Sequence, residues 1–289
     1  MRDQAEKLRL KMLERQGALG RAIAVVNGKG GVGKSNFTTN FAINLAKLGK
    51  KVVILDMDLG MANVHILIGK QGRHHLRDYL EGTVSLEEIL YQGPYNIHYI
   101  SGGSGFTSVV EWSEEMFEAF VYGFGQLQKK YDFILFDMGA GATNWSLDVL
   151  TSIDEIIVIT TCEPTSITDA YSMMKFILLK EPNKTFYLLC NRVYTKEEGK
   201  ETLERLKKTM IKFLSKEAVI LGWLPEDETV RKAVIEQVPF SIGYPNAPVS
   251  KALEEIVDRF INNRLEDEIR VPSNSFLTRL RRIFLKGRD

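Results

Sequence analysis

Gly28-Lys29-Gly30-Gly31-Val32-Gly33-Lys34-Ser35 lies between the apolar run Ile23–Val26 and a segment of helical periodicity that opens at Asn36. The run fits G-x-x-x-x-G-K-[ST] in a strand–loop–helix setting. Without side chains on the glycines, successive backbone N–H groups converge on phosphate oxygens. The N-terminus of the following helix adds its positive dipole end. In such a cradle Lys34 reaches the β- and γ-phosphates and the Ser35 hydroxyl ligates Mg²⁺.

The rest of the chain supplies the fold for that loop. Apolar runs rich in Val, Ile and Phe recur at Val52–Asp56, Ile97–Ile100, Phe133–Asp137, Ile156–Thr160, Phe186–Cys190 and Val219–Leu221. Several are apolar at nearly every position, as strands covered on both faces of a parallel sheet must be. Helical segments separate them, at roughly 36–48, 113–129, 166–180, 197–214, 228–237 and 249–265. In the first, Phe37, Phe41, Leu45 and Leu48 share one face. The alternation predicts a single α/β domain of the P-loop NTPase kind, with a doubly wound, mostly parallel sheet flanked by helices.

Three carboxylates stand where strands end. Asp56 and Asp58 follow Val52–Leu55, and Asp137 closes Phe133–Phe136. Asp137 has the Walker B shape and is expected to hold Mg²⁺. Phosphoryl transfer to water needs an oriented nucleophile, which a carboxylate beside the γ-phosphate supplies. The alternative for Asp56 and Asp58 is a pair of solvated loop acids.

Lys29, a second lysine inside the loop, makes GKGGVGKS resemble the deviant Walker A motif of the MinD/ParA/nitrogenase-iron-protein family. The resemblance spans roughly residues 22–289. It implies an ATPase with ATP and Mg²⁺ as cofactors, and a homodimer formed on ATP in which Lys29 reaches the partner's nucleotide. Asp58 is then the water-orienting residue, with Asp56 supporting switch I and the magnesium shell. Gly28, Gly30, Gly31, Val32, Gly33, Lys34, Ser35 and Asn36 line the phosphates, although the family's usual threonine pair is Ser35-Asn36 here. Gly139 stands where the family often has proline. Asn191-Arg192 and Pro225-Glu226-Asp227 resemble the family's adenine-binding segments, and no N-K-x-D guanine element is present.

The two ends select a branch. Residues 275–289 carry five basic side chains and one acidic. Phe276, Leu277, Leu280, Ile283 and Phe284 form one helical stripe among Arg279, Arg281, Arg282 and Lys286. That composition suits a helix lying in an anionic membrane surface; the alternative is a helix packed on its own domain or on the dimer partner. Asp3, Gln4, Ala5, Leu8 and Arg9 resemble the N-terminal activator motif of the FlhG (FleN, YlxH) branch, the MinD-like ATPases controlling flagellar number and placement. This implies docking on the GTPase FlhF and recruitment of flagellar C-ring proteins; the alternative is a solubility tail. The expected organisation is a helix over 1–20, an ATPase domain over 21–265, a linker over 266–274 and the amphipathic helix over 275–289. Rival readings are a MinD division-site ATPase and a ParA-like DNA partition ATPase.

A net charge of +1 gives no global pull toward nucleic acid, and no specific nucleic-acid partner is expected. Met1–Gln16 lacks an apolar core, so no secretory signal is read. The expected location is the cytoplasm, peripheral on the inner face of the membrane in the ATP state. Cys162 and Cys190 read as reduced thiols.

Overall fold

The computed structural model describes residues 19–28, 30–58, 62–103, 113–139, 144–153, 155–262 and 279–280. The elements run β1 (Arg21–Val26), α1 (Lys34–Lys47), β2 (Val52–Asp56), α2 (Val64–Ile68), α3 (Leu76–Leu80), β3 (Tyr91–Gln92), β4 (His98–Ile100), α4 (Glu114–Lys130), β5 (Phe133–Asp137), α5 (Asn144–Ser152), β6 (Glu155–Thr160), α6 (Pro164–Lys180), β7 (Thr185–Val193), α7 (Lys196–Leu214), β8 (Val219–Pro225), α8 (Glu228–Glu236), α9 (Phe240–Gly243) and α10 (Pro248–Ile261). One eight-stranded sheet has the order β3-β4-β2-β5-β1-β6-β7-β8. Every pairing is parallel except β3 with β4 at one edge.

Alternation along the strands splits the core into two layers. Val53, Leu55, Ile134, Phe136, Ile156 and Val158 face α4, α5 and α6, whose Phe120, Phe124, Leu150, Met174 and Ile177 cover them. Ile23, Val25, Ile54, Leu135, Ile157 and Ile159 face the other way, onto Phe37, Phe41 and Leu45 of α1 and Leu253, Ile256 and Phe260 of α10. All five residues of β2 and of β5 are buried, as the unbroken apolar runs require. Leu48 departs from the expected stripe: it is the C-cap of α1, 51% exposed.

β1 sits centrally between β5 and β6, so the chain leaves it at the topological switch point of the sheet. The loops after β1, β2, β5, β6 and β7 all emerge at the same carboxyl edge. The glycine-rich loop and the three acids are gathered there by topology.

Among the C-terminal stripe, Arg279 and Leu280 fall within the described residues, and both are buried in the domain. Leu280 is 1% exposed and joins the α4–α6 layer. Arg279 Nε donates to the Ser152 carbonyl oxygen at 3.1 Å. Buried Lys184 donates to the carbonyl oxygens of Thr151 and Ile153, each at 2.6 Å. Two cations thus take up the acceptors left open where α5 ends. Phe276, Leu277, Arg282, Ile283 and Phe284, together with Asp3, Gln4, Ala5, Leu8 and Arg9, lie outside the described residues. Among those described, no helix is long and apolar enough to cross a membrane.

Candidate functional site

Helix α1 begins with its N-cap Gly33 at φ 90°, and Gly31 is at φ 84°. Both conformations belong to glycine. The first turn of α1 carries no acidic side chain, leaving its N–H groups open to an anion. Two contacts fix the loop from outside. Asn191 Nδ2, at the end of β7, donates to the Val32 carbonyl oxygen at 2.7 Å. A Cβ on Gly28 would lie 2.3 Å from the Asp169 backbone of α6, so helix and loop touch with no room for a side chain. Lys29 lies outside the described residues.

Lys34 Nζ stands 3.4 Å from Asp137 Oδ1. The Thr38 hydroxyl lies 3.2 Å from the same oxygen and 3.0 Å from the Lys34 carbonyl, and donates to either. Asp137 Oδ2 is buried with no hydrogen-bond partner among the described residues. A buried carboxylate oxygen left bare beside a lysine and a helix N-terminus is a ready cation ligand. Ser35, at the second position of α1, is the hydroxyl expected to share that cation. The residues present therefore fit Mg²⁺: Ser35 and Asp137 would hold it, and it would supply charge neutralisation at the phosphates.

Asp56 is spent differently. Its Oδ1 accepts the Asp58 N–H at 3.1 Å, and its Oδ2 accepts the N–H groups of Asn63 and Val64 at 2.9 and 3.1 Å. It organises the segment after β2 and backs Asp137, its register partner in the sheet. Burial, and then the neighbouring Asp137, push its carboxyl up to about 7 against the pull of the three amides. Asp58 sits across from Gly139: a Cβ there would stand 3.5 Å from Asp58 Cγ, an ordinary contact. The segments after β2 and β5 thus face each other over the site, and a residue larger than glycine fits at position 139.

A stability consequence follows from Asp56. Its folded pKa lies above the unfolded value of 3.8, so its contribution is full below pH 3.8 and is lost as pH rises toward 7. Asp56→Asn removes that loss. The melting temperature of Asp56→Asn relative to wild type, without nucleotide, should rise by about 5 °C between pH 5 and pH 8, at roughly 2–4 °C per kcal/mol. Thermal melts across that range check it, and a gap constant with pH contradicts it.

Arg192, at φ 60°, donates from Nε to Glu226 Oε2 at 2.7 Å, and the Glu226 N–H donates to the Val193 carbonyl at 3.0 Å. The two segments expected to read adenine are thereby joined, with Pro225 closing β8. Asp227 is a helix cap: Oδ1 accepts from Thr229 N and Oγ1, and Oδ2 from Val249 N. Partial burial pushes its carboxyl up, but these bonds hold it below the usual range. Its side chain is therefore committed to α8 and α10. The contributions of Thr38 and Asp169 were not expected. Thr38 follows Lys34 at the i+4 helical spacing, a signal present in the sequence; nothing local marks Asp169.

This edge defines a P-loop protein, with the buried carboxylate of Asp137 beside Lys34 and with Asp58 across from Gly139. The sequence profile of the ParA family, described as NUBPL iron-transfer P-loop NTPases, matches residues 18–261. The antiactivator FleN of Pseudomonas aeruginosa is 33% identical over 239 residues, covering 83% of this chain and 85% of FleN. The flagellum site-determining protein YlxH of Helicobacter pylori is 31% identical over 265 residues, covering 89% and 88%. The septum site-determining protein MinD of Pyrococcus horikoshii, solved with Mg-ADP, superposes with a TM-score of 0.68 at 26% identity, covering 86% of this chain and 100% of that one. The chain belongs to the ParA/MinD family of P-loop NTPases. It is a MinD-like ATPase whose cofactors are ATP and Mg²⁺.

Proposed function

We propose that the chain is an ATP-driven dimerisation switch of the flagellar-placement branch. The observation carrying this reading is the Lys34–Asp137–Thr38 cluster with its bare Asp137 oxygen, set opposite Asp58 at the carboxyl edge of the sheet. Lys34 and the amides of Gly28–Ser35 bind the phosphates, and Asn36 follows them into α1. Asn191, Arg192, Pro225 and Glu226 hold adenine, with Asp227 fixing the helix behind them. Lys29, as a deviant Walker A lysine, neutralises the partner's phosphates, so the triphosphate joins two subunits. Asp58 orients the attacking water, and hydrolysis separates the pair.

The amphipathic C-terminal helix is the membrane contact. In the conformation described, Leu280 and Arg279 are turned into the domain, where Arg279 closes the end of α5. Helix α5 follows the segment after β5 in the chain, and a nucleotide-driven shift of that segment would act on the contact between Arg279 and Ser152 at the end of α5. The N-terminal segment, with Asp3, Gln4, Ala5, Leu8 and Arg9, docks on FlhF and stimulates its GTP turnover, while the core recruits C-ring proteins. The FleN and YlxH similarities support this branch over division-site placement.

Co-sedimentation separates the readings. With Mg-ATP the full chain should pellet with phosphatidylglycerol vesicles, and Phe284→Glu should reduce the pelleted share several-fold by placing a charge in the apolar stripe. Pelleting with DNA instead would support the partition reading. Vesicle binding indifferent to nucleotide would remove the switch.

A further inference from the structure

The chain has two cysteines, and they touch. Cys162 Sγ and Cys190 Sγ lie 3.5 Å apart, one past the end of β6 and the other inside β7, the neighbouring parallel strand. Cys190 is fully buried and Cys162 is partly exposed. Their surroundings are the supports of the nucleotide loop. Asn191, next in the chain after Cys190, donates to Val32. Glu163, next after Cys162, is the N-cap of α6, the helix whose Asp169 backbone abuts Gly28.

We propose that Cys162 and Cys190 form a dithiol modification site for low-molecular-weight disulfides, whose oxidation to an intrachain disulfide weakens nucleotide binding. The inference rests on the nucleotide-binding reading above. Cys162, the accessible sulfur, attacks as thiolate on one sulfur of oxidised glutathione. That S–S bond breaks, a new one forms to Cys162, and the departing glutathione thiolate takes a proton. Cys190 then attacks Cys162 Sγ and expels the second glutathione, its own proton going to that leaving thiolate. Two protein thiols are oxidised by two electrons, and one glutathione disulfide is reduced to two thiols. Burial, with Cys162 and Glu198 nearby, pushes the Cys190 thiol up, which makes it the slow, second partner.

Bond formation draws the sulfurs together by roughly 1.5 Å, to the ~2.05 Å of a disulfide. That movement pulls on Asn191 from one side and on the start of α6 from the other, so both outside contacts of the loop are displaced. In a reducing cytosol the pair stays as thiols, and it responds only when the disulfide pool rises.

The full chain, reduced or treated with oxidised glutathione, is assayed by thiol titration, intact mass and Mg-ADP binding. Expected are loss of both thiols, a mass lower by two hydrogens with no glutathione adduct, and a roughly tenfold weaker Mg-ADP affinity restored by dithiothreitol. Cys162→Ser should bind Mg-ADP like the reduced protein before and after treatment. A stable glutathione adduct, a disulfide with unchanged affinity, or equal loss in Cys162→Ser would each overturn the inference. Failure of the reduced protein to bind Mg-ADP would instead defeat the nucleotide reading and with it the regulatory effect, while the thiol count still decides the modification site.

Discussion

Asp58→Ala lowers ATP turnover by about two to three orders of magnitude and leaves Mg-ATP bound. Asp58 follows β2 by two residues, its N–H held by Asp56 Oδ1, and it faces Gly139 across the site. A water placed in line by a fixed carboxylate is worth about 10²–10⁴ in rate. In the proposed site the phosphate contacts come from the Gly28–Ser35 loop, which this substitution does not touch. The ATP-bound form should therefore accumulate. Single-turnover hydrolysis beside equilibrium nucleotide binding checks this, and a parallel loss of binding would show that Asp58 holds the loop rather than the water.

Lys34→Ala has the largest expected effect on binding and on stability together. In the proposed site, removing the ammonium deletes the cation that reaches the phosphates, and Mg-ADP affinity should fall by at least about a hundredfold. It also strips Asp137, 1% exposed, of the charge 3.4 Å away. A buried ion whose partner is removed costs about 3–5 kcal/mol, and a melting-temperature drop of roughly 10 °C follows. Adding Asp137→Asn removes the stranded charge. The double variant should recover most of the stability but none of the nucleotide binding. A double variant no more stable than the single one would mean that Lys34 stabilises through contacts other than Asp137.

The sequence carried most of the sheet because its strands are buried on both faces. Val52–Asp56 and Phe133–Asp137 are unbroken apolar runs ending in acids, and both appear as fully buried strands at those boundaries. Five-residue helices such as Val64–Ile68 and Leu76–Leu80 were not legible, since so few residues show no 3.6 period. Strand Tyr91–Gln92, with two residues and an antiparallel edge partner, has no local signature either. The glycine-rich loop was readable because its chemistry is written in adjacent residues. Its outside supports were not: Asn191 and Asp169 meet it only through the parallel crossovers. Asp56 and Asp137 could be picked out as acids at strand ends, but only register shows that they are neighbours and that one is wrapped in amides while the other keeps an oxygen bare. The apolar stripe around Leu280 was visible as a stripe; that Leu280 is buried in the core layer and that Arg279 reaches the Ser152 carbonyl at the end of α5 depended on tertiary packing with no local signal.

The most direct measurement is sedimentation velocity of Asp58→Ala protein with no nucleotide, with Mg-ADP and with Mg-ATP. A dimer with Mg-ATP and a monomer in the other two states is the predicted result. One sedimentation coefficient in all three would contradict the account, because the triphosphate would then not be what joins the subunits.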